Sequence, residues 1–254
     1  GGTSEICVFC HTPHSAAMDA PLWNRSFQNV FSGTTYTSDV LGALGYPVED
    51  PWAGGAAGAK AHLRTKICMS CHDGTIAIGS LVNYPSGITS AIPVSGTTGE
   101  MMPTSSAGYI GTDIQDSHPV AVKHDPTIDP ELASIQGTNE KVRLYNGTTG
   151  NETKNAGDYV ECTSCHDPHN NQFGKFMIDA YIGSDTYGSK ICRACHNKVG
   201  DDSTNANESV HSNDTNFSSS WTPTFLGSTV QKVKCYICHY PHRAGLKSPR
   251  NPLT

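Results

Sequence analysis

The ten cysteines of this chain fall into five pairs with two residues between the partners: Cys7/Cys10, Cys68/Cys71, Cys162/Cys165, Cys192/Cys195 and Cys235/Cys238. A histidine directly follows the second cysteine of every pair, giving His11, His72, His166, His196 and His239. With 12 histidines in 254 residues, five such successions are not a chance outcome. Thiols at this spacing can bind a metal, exchange electrons as a dithiol, close a disulfide, or form two thioethers to one prosthetic group. A structural zinc takes four ligands, so five pairs leave one without a partner and every following histidine without a reason. A redox dithiol occurs once, near a βαβ pattern, and a disulfide scaffold has no cause to use only pairs three apart. The remaining chemistry is covalent haem c, for which C-x-x-C-H is the attachment signature. The chain is therefore expected to carry five covalently attached haems c.

That reading also explains the residue types. Two thiols on one helical turn can each join a vinyl carbon on the same porphyrin edge, and the next residue brings its imidazole under the iron as proximal ligand. Five irons then need five sixth ligands, and seven histidines remain: His14, His62, His118, His124, His169, His211 and His242. Three of them recur in one frame, CHTPH, CHDPH and CHYPH, as His14, His169 and His242. A histidine so close behind the proximal one does not fold back to the opposite face of the same iron, and is better placed to reach another haem. His118 in DSHPV and His211 in ESVHS complete the expected distal set, with His62 and His124 held in reserve. With histidine in surplus, methionine ligation is not needed, and low potentials are expected.

The elements that must position these groups are sparse. Leu, Ile, Val and Phe together make up about 18% of the chain, under the ~20% level at which a chain struggles to build a core. Gly, Ser and Thr supply about three residues in ten. Porphyrin is the expected core material: on the order of 400 Å² of apolar surface hidden per haem corresponds to roughly 10 kcal/mol gross. The stretches 84–112 and 201–220 carry Pro, Gly, Ser and Asn at short intervals and read as long surface loops. Short helices are expected at each C-x-x-C-H, with one over 56–70, and few strands. The expected fold is thus mostly irregular with short α-helices and few strands, organised by its haems. It reads as a single pentahaem unit over 1–254, with a softer division near residue 112 that puts haems 1 and 2 in 1–112 and haems 3 to 5 in 113–254.

The formal charge is −6, and five ferric bis-histidine haems with their propionates take it to about −11. Such a particle repels nucleic acid and anionic membranes, and suits cationic partners or mineral surfaces. No segment is long and apolar enough to span a bilayer. Because c-type haem is attached outside the cytoplasm, the chain beginning at Gly1 reads as a mature product whose signal has been removed. Asn-x-Ser/Thr sequons stand at Asn24, Asn146, Asn151, Asn207, Asn213 and Asn216, most of them a consequence of composition.

HTPH followed by APLWN, then CMSCHDGTIAIG, SHPV, CTSCHDPH with KFMI, and KICRACH together resemble the doubled C-x-x-C-H cytochromes of metal-reducing and related bacteria. The similarity runs from Cys7 to about His242, with 84–112 and 201–220 poorly matched. The resemblance implies a secreted multihaem electron carrier, extracellular or at the cell surface, with the periplasm as the alternative. It also implies a homopolymer: some relatives form extracellular filaments in which a histidine just after the first haem motif binds an iron of the adjacent subunit, and His14 is the matching position. The five-haem count and the long loops depart from those filament forms.

Packing alone favours electron transfer between the haems. A compact chain of this length has a radius of gyration of about 18 Å, which puts five haems on the order of 20 Å or less apart. The expected function is electron carriage to redox partner proteins or extracellular acceptors, with no catalytic residue. The alternatives are a soluble periplasmic shuttle and a reductase subunit. The pentahaem nitrite reductases share the haem count but use a C-x-x-C-K motif, whereas all five motifs here end in histidine.

Overall fold

The computed structural model describes residues 4–16, 22–25, 34–45, 48–51, 62–94, 100–135, 141–179, 190–196 and 241–242. Within them the chain is mostly irregular, with few helices and one small sheet, as its composition implies. Four attachment motifs fall in this range, and each begins in or just behind a short helical segment. A 3-10 turn at Ile6–Phe9 precedes Cys10. Helix α1 spans Asp39–Ala43, α2 spans Leu63–His72, α3 spans Cys162–Cys165 and α4 spans Lys190–Arg193. The fifth motif, with Cys235, Cys238 and His239, and the candidate ligand His211 lie outside the described residues, as does 201–220.

Helix α2 begins later than the run 56–70 suggests, since 56–61 lie outside the described residues, and it extends through His72. Its end is set by Asp73 and Gly74. The Asp73 N–H donates to Met69 O at 3.1 Å, and Gly74 takes φ 75°, where an added Cβ would meet Tyr109 Cε2 at 2.4 Å. Only glycine fits that left-handed stop. Asp73 then accepts the Thr75 N–H at 2.9 Å and holds the turn that follows.

Strands β1 (Val122–His124) and β2 (Asp158–Val160) pair antiparallel, with Lys123 opposite Tyr159. Strand β2 runs straight into α3, whose start is fixed by a reciprocal cap in which the Glu161 N–H donates to Ser164 Oγ at 2.9 Å. The third motif is thereby anchored to a sheet. The apolar core is small and lies beside it: Ile135, Val142, Leu144, Met177, Ile178, Ile191 and Ala194 cluster together, with Cys165, Cys192 and Cys195 packed against them.

Around the first two motifs the interior is polar instead. Asn24 is fully buried and donates to Val8 O and Asn83 O, both at 2.8 Å, while accepting the Asn83 N–H at 2.8 Å. This placement removes Asn24 from the usable sequons. Arg25, 1% exposed, donates to Ser70 O at 3.1 Å, Ala77 O at 3.0 Å and Ile78 O. The stretches on either side of residue 112 touch through Glu49 N–H to Ala121 O at 3.0 Å and His62 to Glu161 at 2.6 Å. No helix among the described residues is long and apolar enough to cross a membrane.

Candidate haem centres

Each described motif presents its histidine at the end of a helical turn, and in two of them a backbone carbonyl orients the ring. His72 Nδ1 lies 2.7 Å from Gly108 O, and His166 Nδ1 lies 3.0 Å from Lys175 O. A carbonyl can only accept, so Nδ1 carries the proton and Nε2 keeps its lone pair for a metal. Gly108 lies close to the His72 ring, and an added Cβ would sit 3.4 Å from Nδ1. His118 is oriented in the same way, its Nδ1 2.9 Å from Pro119 O.

The structure brings three proximal histidines to three of the other histidines. Ring centroids of His11 and His169 are 5.9 Å apart, those of His166 and His242 6.1 Å, and those of His118 and His196 6.2 Å. Two imidazoles on opposite sides of one metal, each bonded at about 2 Å, have centroids roughly 6 Å apart once the ring radius is added. The three separations therefore fit a bis-histidine haem. In the first two pairs the planes are nearly parallel, at 18° and 24°, and in the third they cross at 74°. His118 is further fixed against the fifth frame, because its N–H donates to Pro241 O at 2.7 Å.

The other candidates are placed differently. The His14 residue is exposed, and its backbone carbonyl accepts from Thr12 Oγ1 at 2.9 Å and Asn83 Nδ2 at 3.3 Å. His62 is buried with both ring nitrogens on carboxylates, Nδ1 2.6 Å from Glu161 Oε1 and Nε2 3.2 Å from Glu49 Oε2. Held in this way, both ring nitrogens of His62 face carboxylates rather than another histidine. His124, also buried, hydrogen-bonds to the Cys195 backbone, and its Nε2 has no partner among the described residues.

The cysteines of successive motifs stand close together. Cys10 and Cys71 are near enough that the second raises the thiol pKa of the first, after burial. Cys68 donates a hydrogen bond to Cys162, and this bond together with burial pushes the Cys68 thiol well up. Burial pushes Cys165 up to about 12, and it shares the apolar core with Cys192 and Cys195. Motifs 2 and 3 thus touch through Cys68 and Cys162, motifs 1 and 2 lie within electrostatic reach of each other, and motifs 3 and 4 share one apolar cluster. The thiols of the second pair are both raised, the reverse of what an exchanging dithiol needs. Among the described residues no three His, Cys, Asp or Glu side chains form a cage for a metal ion.

Residues 155–201 match the family described as Doubled CXXCH motif. The match supports a c-type cytochrome-like multihaem motif, with haem c bound covalently at C-x-x-C-H and electron carriage as its chemistry. No curated protein matches the chain. Sequence reasoning missed Arg25, Glu49 and Glu161. The signal for Glu161 was its position beside Cys162, whereas nothing local distinguishes Glu49 or Arg25.

Proposed function

We propose that this chain is a pentahaem c-type cytochrome that passes electrons along closely spaced bis-histidine haems, outside the cell and as part of a polymer of itself. The observation that carries the reading is the set of three imidazole pairs at 5.9 to 6.2 Å, each joining a motif histidine to a histidine from elsewhere in the chain. The haem supplies an iron that cycles between ferric and ferrous states. The chain's part is to hold ten sulfurs and ten imidazoles so that neither face of an iron stays open. That arrangement favours a carrier over a reductase.

The pairing has a register. His169, behind motif 3, faces the histidine of motif 1, and His242, behind motif 5, faces that of motif 3. The repeated frame therefore serves the haem two motifs back. Among the haems that this register does not serve, we assign the fifth to His14 of another copy, the role that the resemblance gives that position. Ile6, Leu22 and Val82 are exposed in segments hydrogen-bonded to or flanking motif 1, which supports a second copy docking near His14. His211 is then left for the iron above His72, and the ligand count closes with His62 and His124 unused.

The proximity of cysteines in successive motifs supports an electron path that links motifs 1 to 4, in either direction. The test is His14→Ala. The purified variant should keep five haems by intact mass and lose or shorten the filaments seen by electron microscopy. Loss of a haem from every monomer would count against the inter-subunit role. A visible and EPR spectrum of the parent protein with a five-coordinate high-spin iron would instead favour the reductase.

A further inference from the structure

We infer that His62, Glu161 and Glu49 form a proton-binding site linked to the reduction of the second and third haems. This rests on the haem reading of Cys68 and Cys162.

The geometry is costly and specific. His62 precedes α2 with φ 53°, in the left-handed region that is uncommon for a residue other than glycine. Its ring is 3% exposed and sits between two carboxylates contributed from 13 and 99 residues away. A neutral imidazole has one N–H, and two carboxylates can both be satisfied only by the doubly protonated ring. Burial works against that charge, but the hydrogen bond and charge of Glu161, followed by those of Glu49, hold the His62 pKa above its ordinary value.

The two carboxylates face different ways. Glu161 is 2% exposed, and its second oxygen accepts from Thr65 N–H at 3.2 Å and from the Thr65 hydroxyl. The same hydroxyl lies 3.7 Å from Cys162 Sγ, and Cys162 in turn meets Cys68, so that with both sulfurs held as thioethers the link to them is one of distance. One hydroxyl thus separates Glu161 from the attachment sulfurs of two haems. Glu49 is 42% exposed and accepts from the Tyr159 hydroxyl. Tyr159 packs edge-on to His62 at 4.9 Å, and Lys123 of β1 lies over its ring at 5.6 Å. The charged groups acting on the ring are Glu49, Glu161 and, beyond Glu49, Lys123. Burial and Glu49 push the Tyr159 phenol up, so it stays neutral. The proton that exchanges is the one on Nε2, toward Glu49 and water, while Nδ1–H remains on the buried Glu161.

With His62 protonated, the two carboxylates are half neutralised. Without that proton, both negative charges stand beside the haems unopposed. An electron arriving from an external one-electron donor converts ferric to ferrous iron and adds one negative charge in a region of low dielectric. This raises the affinity of His62 for a proton from water, and by reciprocity the proton raises the affinity for the electron. One electron and one proton enter together, and the local charge is conserved.

The test is spectroelectrochemical titration of the haem-loaded protein from about pH 5 to about pH 9, across the range in which histidine titrates. The parent should show two haem midpoint potentials that fall as pH rises. His62→Gln should flatten that fall while the propionate-linked remainder persists. Glu49→Gln keeps the ring but removes the solvent-side carboxylate, and should move the fall to lower pH. A His62→Gln variant with five haems and the parental pH dependence would overturn the inference. Should that variant fail to mature, an unmoved pH window in Glu49→Gln would do the same. Fewer than five haems in the parent by mass would strike the haem reading itself, a result distinct from either.

Discussion

The joint between motifs 1 and 2 and the joint between motifs 3 and 4 solve one problem by opposite means. The first is polar: Asn24 and Arg25 are buried and their hydrogen bonds go to backbone groups of distant segments. The second is apolar: Leu144, Val142, Ile135 and their neighbours pack against Cys165, Cys192 and Cys195. Fixed donors such as the Arg25 fork set positions tightly, because displacement leaves buried carbonyls unsatisfied. Apolar packing tolerates repacking so long as volume is kept. A chain poor in aliphatic residues can still align attachment cysteines, provided one end is held by donors aimed at carbonyls. Between the two lies a third, ionic joint, His62 with Glu161, which ties α2 to the start of α3.

The sharpest way to break the contrast is at Arg25. Arg25→Met leaves three carbonyls without their donor, and the expected loss is on the order of 4 kcal/mol. Denaturant unfolding of the haem-loaded protein measures this loss, and Arg25→Lys should recover part of it. On the apolar side, Leu144 is fully buried, and Leu144→Ala should cost roughly 3 kcal/mol in the same assay. Equal tolerance of both changes would erase the distinction between the joints.

His169 crosses from one side to the other. His169→Ala should convert one low-spin haem to high-spin in the visible spectrum with all five thioether-linked haems retained by mass. A purely low-spin spectrum would detach His169 from His11.

The ionic joint has a pH signature. The His62 pKa is raised in the folded state, so its stabilising contribution is complete below the unfolded value of about 6.5. The contribution is lost as pH rises through the folded value. Glu49 is shifted downward: burial opposes the shift, but the bonds from Tyr159 and His62 outweigh it. Its contribution is present above the unfolded carboxylate value and is lost as pH falls through the folded one. A Tm profile against pH should therefore decline on the alkaline side, and His62→Gln should flatten that side most while also weakening the acid-side decline, since it removes one of the bonds that lower Glu49.

The smallest effect is spectroscopic. Crossed imidazole planes leave the iron π orbitals nearly degenerate, whereas parallel planes split them. The oxidised protein should therefore give a strongly anisotropic large-g EPR signal from the pair His118/His196, crossed at 74°. The pairs at 18° and 24° should give ordinary rhombic signals. His118→Ala should remove the first signal and leave the others.

Much of this molecule is local chemistry and could be read along the chain. Attachment needs two sulfurs and an imidazole within five residues, so Cys162, Cys165 and His166 declare it without a fold. The shortage of aliphatic residues likewise implied an irregular architecture. The frames CHTPH and CHDPH indicated that His14 and His169 face away from their own motifs, but not toward which partner. The opposition of His169 and His11, the clamp on His62 from Glu161 and Glu49, and the burial of Arg25 on three carbonyls join residues far apart in sequence. Covalent attachment is fixed by spacing, whereas a second ligand or a buried ion pair depends on which surfaces meet, and only the tertiary structure decides that.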